Sequence, residues 1–162
     1  MNIRNIFGLC LLLTLGLATN LTAQSYTDYN PQYTSSRNSF MEDRVEQTSS
    51  RTIVYIRFVA ESTSDTPVKF AAPDNGSKWS MSSSSGTSFE LMELRNISVN
   101  TVVKESVLYS GSYDATRYLG TQYTVQLAFE RVPAGVTTVN LQEGPGGENF
   151  RIYNLQIKSS TD

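Results

Sequence analysis

The stretch that decides the fold class reads Tyr123-Thr124-Val125-Gln126-Leu127-Ala128-Phe129-Glu130. Tyr123, Val125, Leu127 and Phe129 fall on one face of an extended chain. The polar residues of this stretch, which are Thr124, Gln126 and Glu130, fall on the other face. Aromatic and β-branched residues are also those that strands favour. The pattern therefore predicts a strand with one face in a hydrophobic core and the other face in water.

Similar short segments recur on both sides of this strand. In residues 52–59, the side chains of Val54, Ile56 and Phe58 are expected to face the core, and Arg57 marks the solvent side. Trp79 shares a face with Met81 in the next alternating segment, which indicates a core tryptophan rather than an exposed platform. Further extended segments cover residues 68–70, 89–99, 107–109, 136–141 and 150–157.

Turn signals separate these segments, as at Pro73-Asp74-Asn75-Gly76 and Gly144-Pro145-Gly146-Gly147. The chain has no sustained helical period. Short strands between frequent turns predict an all-β fold, an antiparallel two-sheet β-sandwich.

The first residues have the pattern of a signal peptide. Arg4 supplies a positive charge, residues 6–17 form a short apolar run, and Ala23 ends a small-residue cleavage site. A membrane-spanning helix needs about 20 apolar residues, which is more than this run offers. We therefore expect a signal peptide at residues 1–23 and no transmembrane anchor after its removal. The mature protein would be exported and periplasmic, outer-membrane-associated or extracellular.

Residues 24–44 contain Tyr, Ser, Asn and Gln but almost no aliphatic residues. Such a segment buries too little apolar surface to offset its chain entropy. It is therefore predicted to be a flexible leader, followed by one β-sandwich domain at residues 45–162.

Composition excludes several kinds of chemistry. The chain has no histidine, and its one cysteine, Cys10, lies within the predicted signal peptide. Zinc sites with Cys or His ligands, Ser-His or Cys-His nucleophiles and haem ligated by His or Cys are therefore excluded. The small negative net charge gives no electrostatic footprint for nucleic acid. No cofactor is predicted.

Residues 123–158 resemble the closing half of immunoglobulin-like (telokin-like) β-sandwich domains from secreted proteins of Gram-negative bacteria. The matching features are Phe129 at a strand end, the turn Val132-Pro133, the strand end Leu141-Gln142-Glu143-Gly144, and a last strand from Phe150 to Leu155. Asn154-Leu155 stands where those domains usually have Gly-Ile. The resemblance implies an immunoglobulin-like fold and an extracytoplasmic setting, and it transfers no catalytic residue.

Three tyrosines are the candidate ligand or partner contacts: Tyr109, Tyr113 and Tyr118. They lie in a loop-rich stretch, and tyrosine suits contact surfaces that are partly exposed to solvent. The loop from Glu143 to Glu148 has oxygen ligands suited to calcium, although a glycine-rich hairpin explains it more simply.

These observations favour a non-enzymatic exported structural or protein-interaction module of a bacterial envelope or secreted system, with an unknown protein partner. The alternative is a carbohydrate-binding module with a glycan as ligand. A distant alternative is a hydrolase that uses two carboxylates, but no feature selects a pair among Glu61, Asp65, Glu90, Glu93 and Glu130.

Overall fold

The computed structural model describes residues 25–37, 40–145 and 150–158. This part of the chain is all-β and contains no helix. Its strands are β1 (Tyr26–Asp28), β2 (Thr34–Ser35), β3 (Phe40–Gln47), β4 (Arg51–Val59), β5 (Ser64–Ala71), β6 (Trp79–Ser83), β7 (Ser88–Phe89), β8 (Leu91–Val99), β9 (Val102–Leu108), β10 (Ser112–Arg117), β11 (Gln122–Glu130), β12 (Thr138–Glu143) and β13 (Arg151–Gln156).

The strands form three sheets, and all of their pairings are antiparallel. A six-stranded sheet has the order β1-β3-β4-β11-β8-β9. A five-stranded sheet has the order β2-β13-β12-β6-β7, and β10 pairs with β5. Because one face of the large sheet packs on a shared core with the smaller sheets, the arrangement is sandwich-like. The predicted all-β class with antiparallel sheets is confirmed.

The alternation along β11 sets the core. Leu127 is fully buried and lies opposite Val54 of β4 and Leu94 of β8. Met81 and Leu141, which face each other in the five-stranded sheet, are buried in the same core. The predicted inward face of β11 is therefore confirmed.

Aromatic residues join the layers. Trp79 is buried, and its ring meets Phe150 edge-on with the centroids 5.6 Å apart, so its predicted core position is confirmed. The buried Tyr123 stacks on Phe58 at 5.7 Å, and its hydroxyl donates a hydrogen bond of 2.6 Å to the backbone carbonyl of Thr116. That bond ties β10 to the large sheet.

The structure corrects the expectation of a flexible leader for its described residues. β1 and β3 extend the six-stranded sheet, and β2 pairs with β13 of the five-stranded sheet. Lys158 Nζ also lies 2.9 Å from the Oδ2 atom of the buried Asp28, and Tyr33 packs against the core. The reason is that backbone pairing and half-buried tyrosines stabilise this segment, so it needs few aliphatic residues.

The predicted signal peptide at residues 1–23 lies outside the described residues. Within the described part of the chain, no helix is long and apolar enough to cross a membrane.

Candidate functional site

A groove of about 620 Å³ runs across the face of the six-stranded sheet that points away from the core. Its floor includes Tyr55, Thr124 and Gln126. These residues alternate with the buried core residues of β4 and β11, so the predicted solvent side of the two strands is the floor of the groove. The volume falls within the range of ligand pockets in proteins.

Strand register brings the floor residues together. Gln126 lies directly opposite Tyr55 of β4, and Thr124 lies opposite Ser98 of β8. Residues that face each other across antiparallel strands point to the same side of the sheet. The groove is therefore built on paired strands of the sheet centre, which hold the backbone beneath these side chains.

Arg44 forms one wall of the groove. Its guanidinium carbon lies 3.7 Å from the ring centroid of Tyr55 and 5.6 Å from that of Tyr29. Both distances are within the range of cation–π interactions. Tyr29 is 73% exposed, so this residue of the stack is accessible to a ligand. We call these three residues the arginine–tyrosine stack.

The stack is supported by neighbouring side chains. The Tyr55 hydroxyl donates a 2.9 Å hydrogen bond to Glu46 Oε2. Burial raises the pKa of Tyr55, and the bond to Glu46 raises it further, so this phenol stays protonated near neutral pH. Asp43 accepts hydrogen bonds from Arg57 Nε and Nη2, the latter at 2.9 Å. The main charges on this side of the groove are thus either paired or stacked on aromatic rings.

The far end of the groove is formed by β8 and β9. A β-bulge in β8 lies between Arg95 and Ser98, and Asn96 within it has a φ of 47°. Asparagine tolerates this left-handed conformation better than most residues. The bulge places Asn96 at the groove, whose lining also includes Val103 of β9, a residue that is 50% exposed.

The groove offers hydrogen-bonding groups, aromatic rings and one stacked cation. Amide, hydroxyl and guanidinium groups of this kind orient a bound partner, and aromatic faces provide contact area. The arrangement is therefore suited to binding.

A buried carboxyl group lies on the core side of the sheet, next to the groove wall. Glu42 is 5% exposed and faces Ile56 across the β3–β4 pair, while the bulge at Asp43 turns Arg44 to the groove side. Neither carboxylate oxygen of Glu42 meets full hydrogen-bond geometry, although the backbone amides of Arg44 and Tyr55 lie close enough to hold its pKa down in part. Burial raises the pKa of Glu42 to about 8, and the nearby charges of Asp43 and Asp28 also raise it.

The three tyrosines predicted as contacts do not form one site. Tyr113 and Tyr118 line a second, shallower depression of about 300 Å³ between β9 and β10, which we call the trough. Tyr113 is half-buried against the ring of Phe70, and Tyr118 is exposed. Tyr109 is exposed and lies apart from the trough. A hydrogen bond to Glu93 raises the pKa of Tyr109.

The acidic loop is only partly described. Glu143 is half-buried, and burial raises its pKa, while Glu148 lies outside the described residues. Within residues 25–37, 40–145 and 150–158, no group of three or more Asp, Glu, His or Cys side chains is placed to hold a metal ion. Calcium binding by the loop from Glu143 to Glu148 therefore stays an untested prediction.

Sequence reasoning missed the groove residues. The alternation in β4 and β11 placed Thr124, Gln126 and Arg57 on the solvent-facing side of the strands. It gave no sign that this side forms a groove. Arg44 and Tyr29 were missed because both lie in the segment predicted to be flexible. A signal that could have found them is the concentration of tyrosines at residues 26–33, within the predicted flexible leader.

Comparison of the chain with protein-family models, with curated proteins and with solved structures found no match.

Proposed function

We propose that this protein is an exported, non-enzymatic interaction module that binds a protein partner in the groove. The arginine–tyrosine stack is the observation that carries the proposal. Tyrosine and arginine are enriched among the residues that dominate binding energy in protein interfaces. Here both types converge at one wall, with Tyr29 largely exposed. An arginine already held against a ring loses less conformational freedom when a partner binds.

The setting that we propose is the bacterial envelope or the cell exterior, with an immunoglobulin-like sandwich as the fold. Support for export comes from the signal-peptide pattern at residues 1–23. Support for the fold comes from antiparallel sheets on a shared core and from the sequence resemblance at residues 123–158.

A carbohydrate is the second candidate ligand. The observation that favours it is the uncharged, hydrogen-bonding floor at Thr124, Gln126 and Ser98, next to an exposed tyrosine ring. Hydroxyl and amide groups pair with sugar hydroxyls, and tyrosine provides an apolar face beside a polar tip.

Site-specific crosslinking in cells would test the proposal. A photo-crosslinking amino acid at Gln126 should capture a discrete protein, and the same group at the exposed Lys78 should not. Arg44→Ala should remove the crosslink, whereas Lys78→Ala should leave it in place. Thermal unfolding of both variants would establish that they are folded.

Glycan binding that is lost in Arg44→Ala, without any protein crosslink, would replace the first candidate with the second. Glycan arrays and quenching of tyrosine fluorescence would detect it. If neither a protein nor a glycan responds to Arg44→Ala, the groove is not the binding site.

A further inference from the structure

The charges of the groove are not balanced. Within the described part of the chain, the charged residues that line the groove are Asp43 and Arg44. Asp43 is neutralised by Arg57, which donates hydrogen bonds to both carboxylate oxygens through Nε and Nη2. A two-pronged contact of this kind satisfies the carboxylate in charge and in geometry. Arg44 therefore gives the groove an unbalanced positive charge.

Arg44 has no carboxylate partner among the described residues. It forms none of the ion pairs found there, whereas Arg95 of β8, in the same sheet, is paired with Glu93. Glu46 lies two positions along β3 from Arg44, but its carboxylate accepts the hydroxyl proton of Tyr55 instead. The stack therefore holds a guanidinium in a fixed place without a counter-ion.

Stacking leaves the hydrogen-bond donors of Arg44 free to bind. Its guanidinium meets the Tyr55 ring at 3.7 Å with its flat face, and the N–H groups of a guanidinium lie in its plane. Nε is buried without a hydrogen bond, but neither Nη atom is buried in this way. Burial keeps the pKa of Tyr55 raised, and Arg44 beside its hydroxyl offsets part of that rise. One contact near this hydroxyl leaves other Nη donors for an acceptor in the groove.

A single carboxylate suits this end of the groove. It can accept parallel N–H bonds from one guanidinium, and its one negative charge balances the charge of Arg44. A phosphate group carries more charge and is usually bound by a cluster of arginines. The floor at Thr124 and Gln126 is uncharged, and Arg57 already neutralises Asp43, so neither repels a carboxylate.

We infer that the partner protein places an aspartate or glutamate side chain in the groove and that its carboxylate binds the Nη groups of Arg44. This inference rests on the proposed function and adds the chemistry by which the partner is recognised. Tyr29, which is 73% exposed and lies beside Arg44, provides apolar contact for the rest of the partner segment.

Two pools of heptapeptides with blocked ends would test the inference on the immobilised mature protein. The central residue is glutamate in the probe pool and glutamine in the control pool, and every other position is a mixture of uncharged residues. The pools therefore differ in one carboxylate. We expect the protein to retain the glutamate pool about 3- to 10-fold more strongly, measured by mass spectrometry of the eluted peptides, because a charge-assisted hydrogen bond is stronger than a neutral one.

Three variants would locate the effect at Arg44. Arg44→Gln removes the charge and should abolish the preference for the glutamate pool. Arg44→Lys keeps the charge but lacks the planar fork, so it should reduce the preference. Lys78→Gln changes the net charge by the same amount at an exposed residue and should leave the preference unchanged. Thermal unfolding would establish that each variant is folded, and the comparison of the two pools on wild type requires no variant.

Equal retention of the two pools by wild type, or retention of neither, would overturn the inference. A crosslink at Gln126 that is lost in Arg44→Ala but kept in Arg44→Gln would also overturn it, while the protein partner of the proposed function would stand. Absence of any crosslink at Gln126 is instead the failure of the proposed function. Binding of a glucuronate-containing oligosaccharide that is lost in Arg44→Gln, without a preference between the pools, would assign Arg44 to an acidic sugar and contradict the inference.

Discussion

Glu42→Gln should remove a specific part of the pH dependence of stability. The pKa of Glu42 rises from its ordinary value of 4.5 to about 8 in the folded protein, chiefly because the carboxyl is buried. Below about pH 4.5, the folded and unfolded states both hold the proton. Between about pH 4.5 and 8 only the folded state holds it, so the free energy of unfolding falls as pH rises. Above about pH 8 both states release the proton, and this contribution to the slope ends.

The size of the effect follows from the proton balance. A difference of one bound proton changes the free energy of unfolding by about 1.4 kcal/mol per pH unit at most. From pH 5 to pH 7, wild-type protein should therefore lose up to about 2–3 kcal/mol relative to Glu42→Gln. The half-buried Glu143 also has a raised pKa, but it is present in both proteins and cancels in the comparison.

Urea denaturation followed by Trp79 fluorescence, at pH steps from 4.5 to 8, would measure this difference. Glu61→Gln is the matched control, because Glu61 is exposed. The control should unfold in parallel with wild type at every pH. Parallel curves for Glu42→Gln and wild type would refute the reasoning and show that Glu42 ionises in the folded state as it does in water.

Three further predictions concern the core, the N-terminal segment and export. Leu127→Ala should lower the free energy of unfolding by about 2–5 kcal/mol, because removing a fully buried side chain leaves a cavity. Gln126→Ala, on the groove face, should lower it by about 0.5 kcal/mol or less. Similar denaturation midpoints for the two variants would contradict the register of β11. Lys158→Ala should destabilise the N-terminal segment, because the buried Asp28 loses its ion pair, and should speed proteolysis within residues 25–37. Unchanged cleavage would show that this pair does not hold β1. Mass spectrometry of the exported protein should show cleavage after Ala23, and an intact amino terminus would contradict the signal peptide.

Local patterns predicted the parts of the fold that depend on local chemistry. The alternation in β11 identified its buried face, and the pairing of Trp79 with Met81 on one face identified a core tryptophan. Both features follow from the two-residue period of a strand, which any single segment displays. The all-β class could therefore be inferred before the sheets were known.

Sheet order and the groove could not be inferred in the same way. Tyr55 and Gln126 become neighbours only because β4 pairs with β11, and no feature within either strand specifies that partner. The residues of β1 and β2 were predicted to be flexible because they contain few aliphatic side chains to bury. These strands are instead held by backbone hydrogen bonds to the edges of β3 and β13. Arg44 was missed as a groove residue because it lies in the same segment.

The pairing of β2 with β13 joins the start of the domain to its end. The backbone amide of Arg151 donates a hydrogen bond to the Ser36 hydroxyl, which lies 115 positions earlier in the chain. Contacts between such distant positions form slowly, because a large loop must close before they contribute. In a chain that emerges amino terminus first, β2 has no partner until β13 has been synthesised. The five-stranded sheet therefore gains its β2 edge only after β13 is available, whereas β1, β3 and β4 can pair with one another as soon as residues 26–59 have emerged.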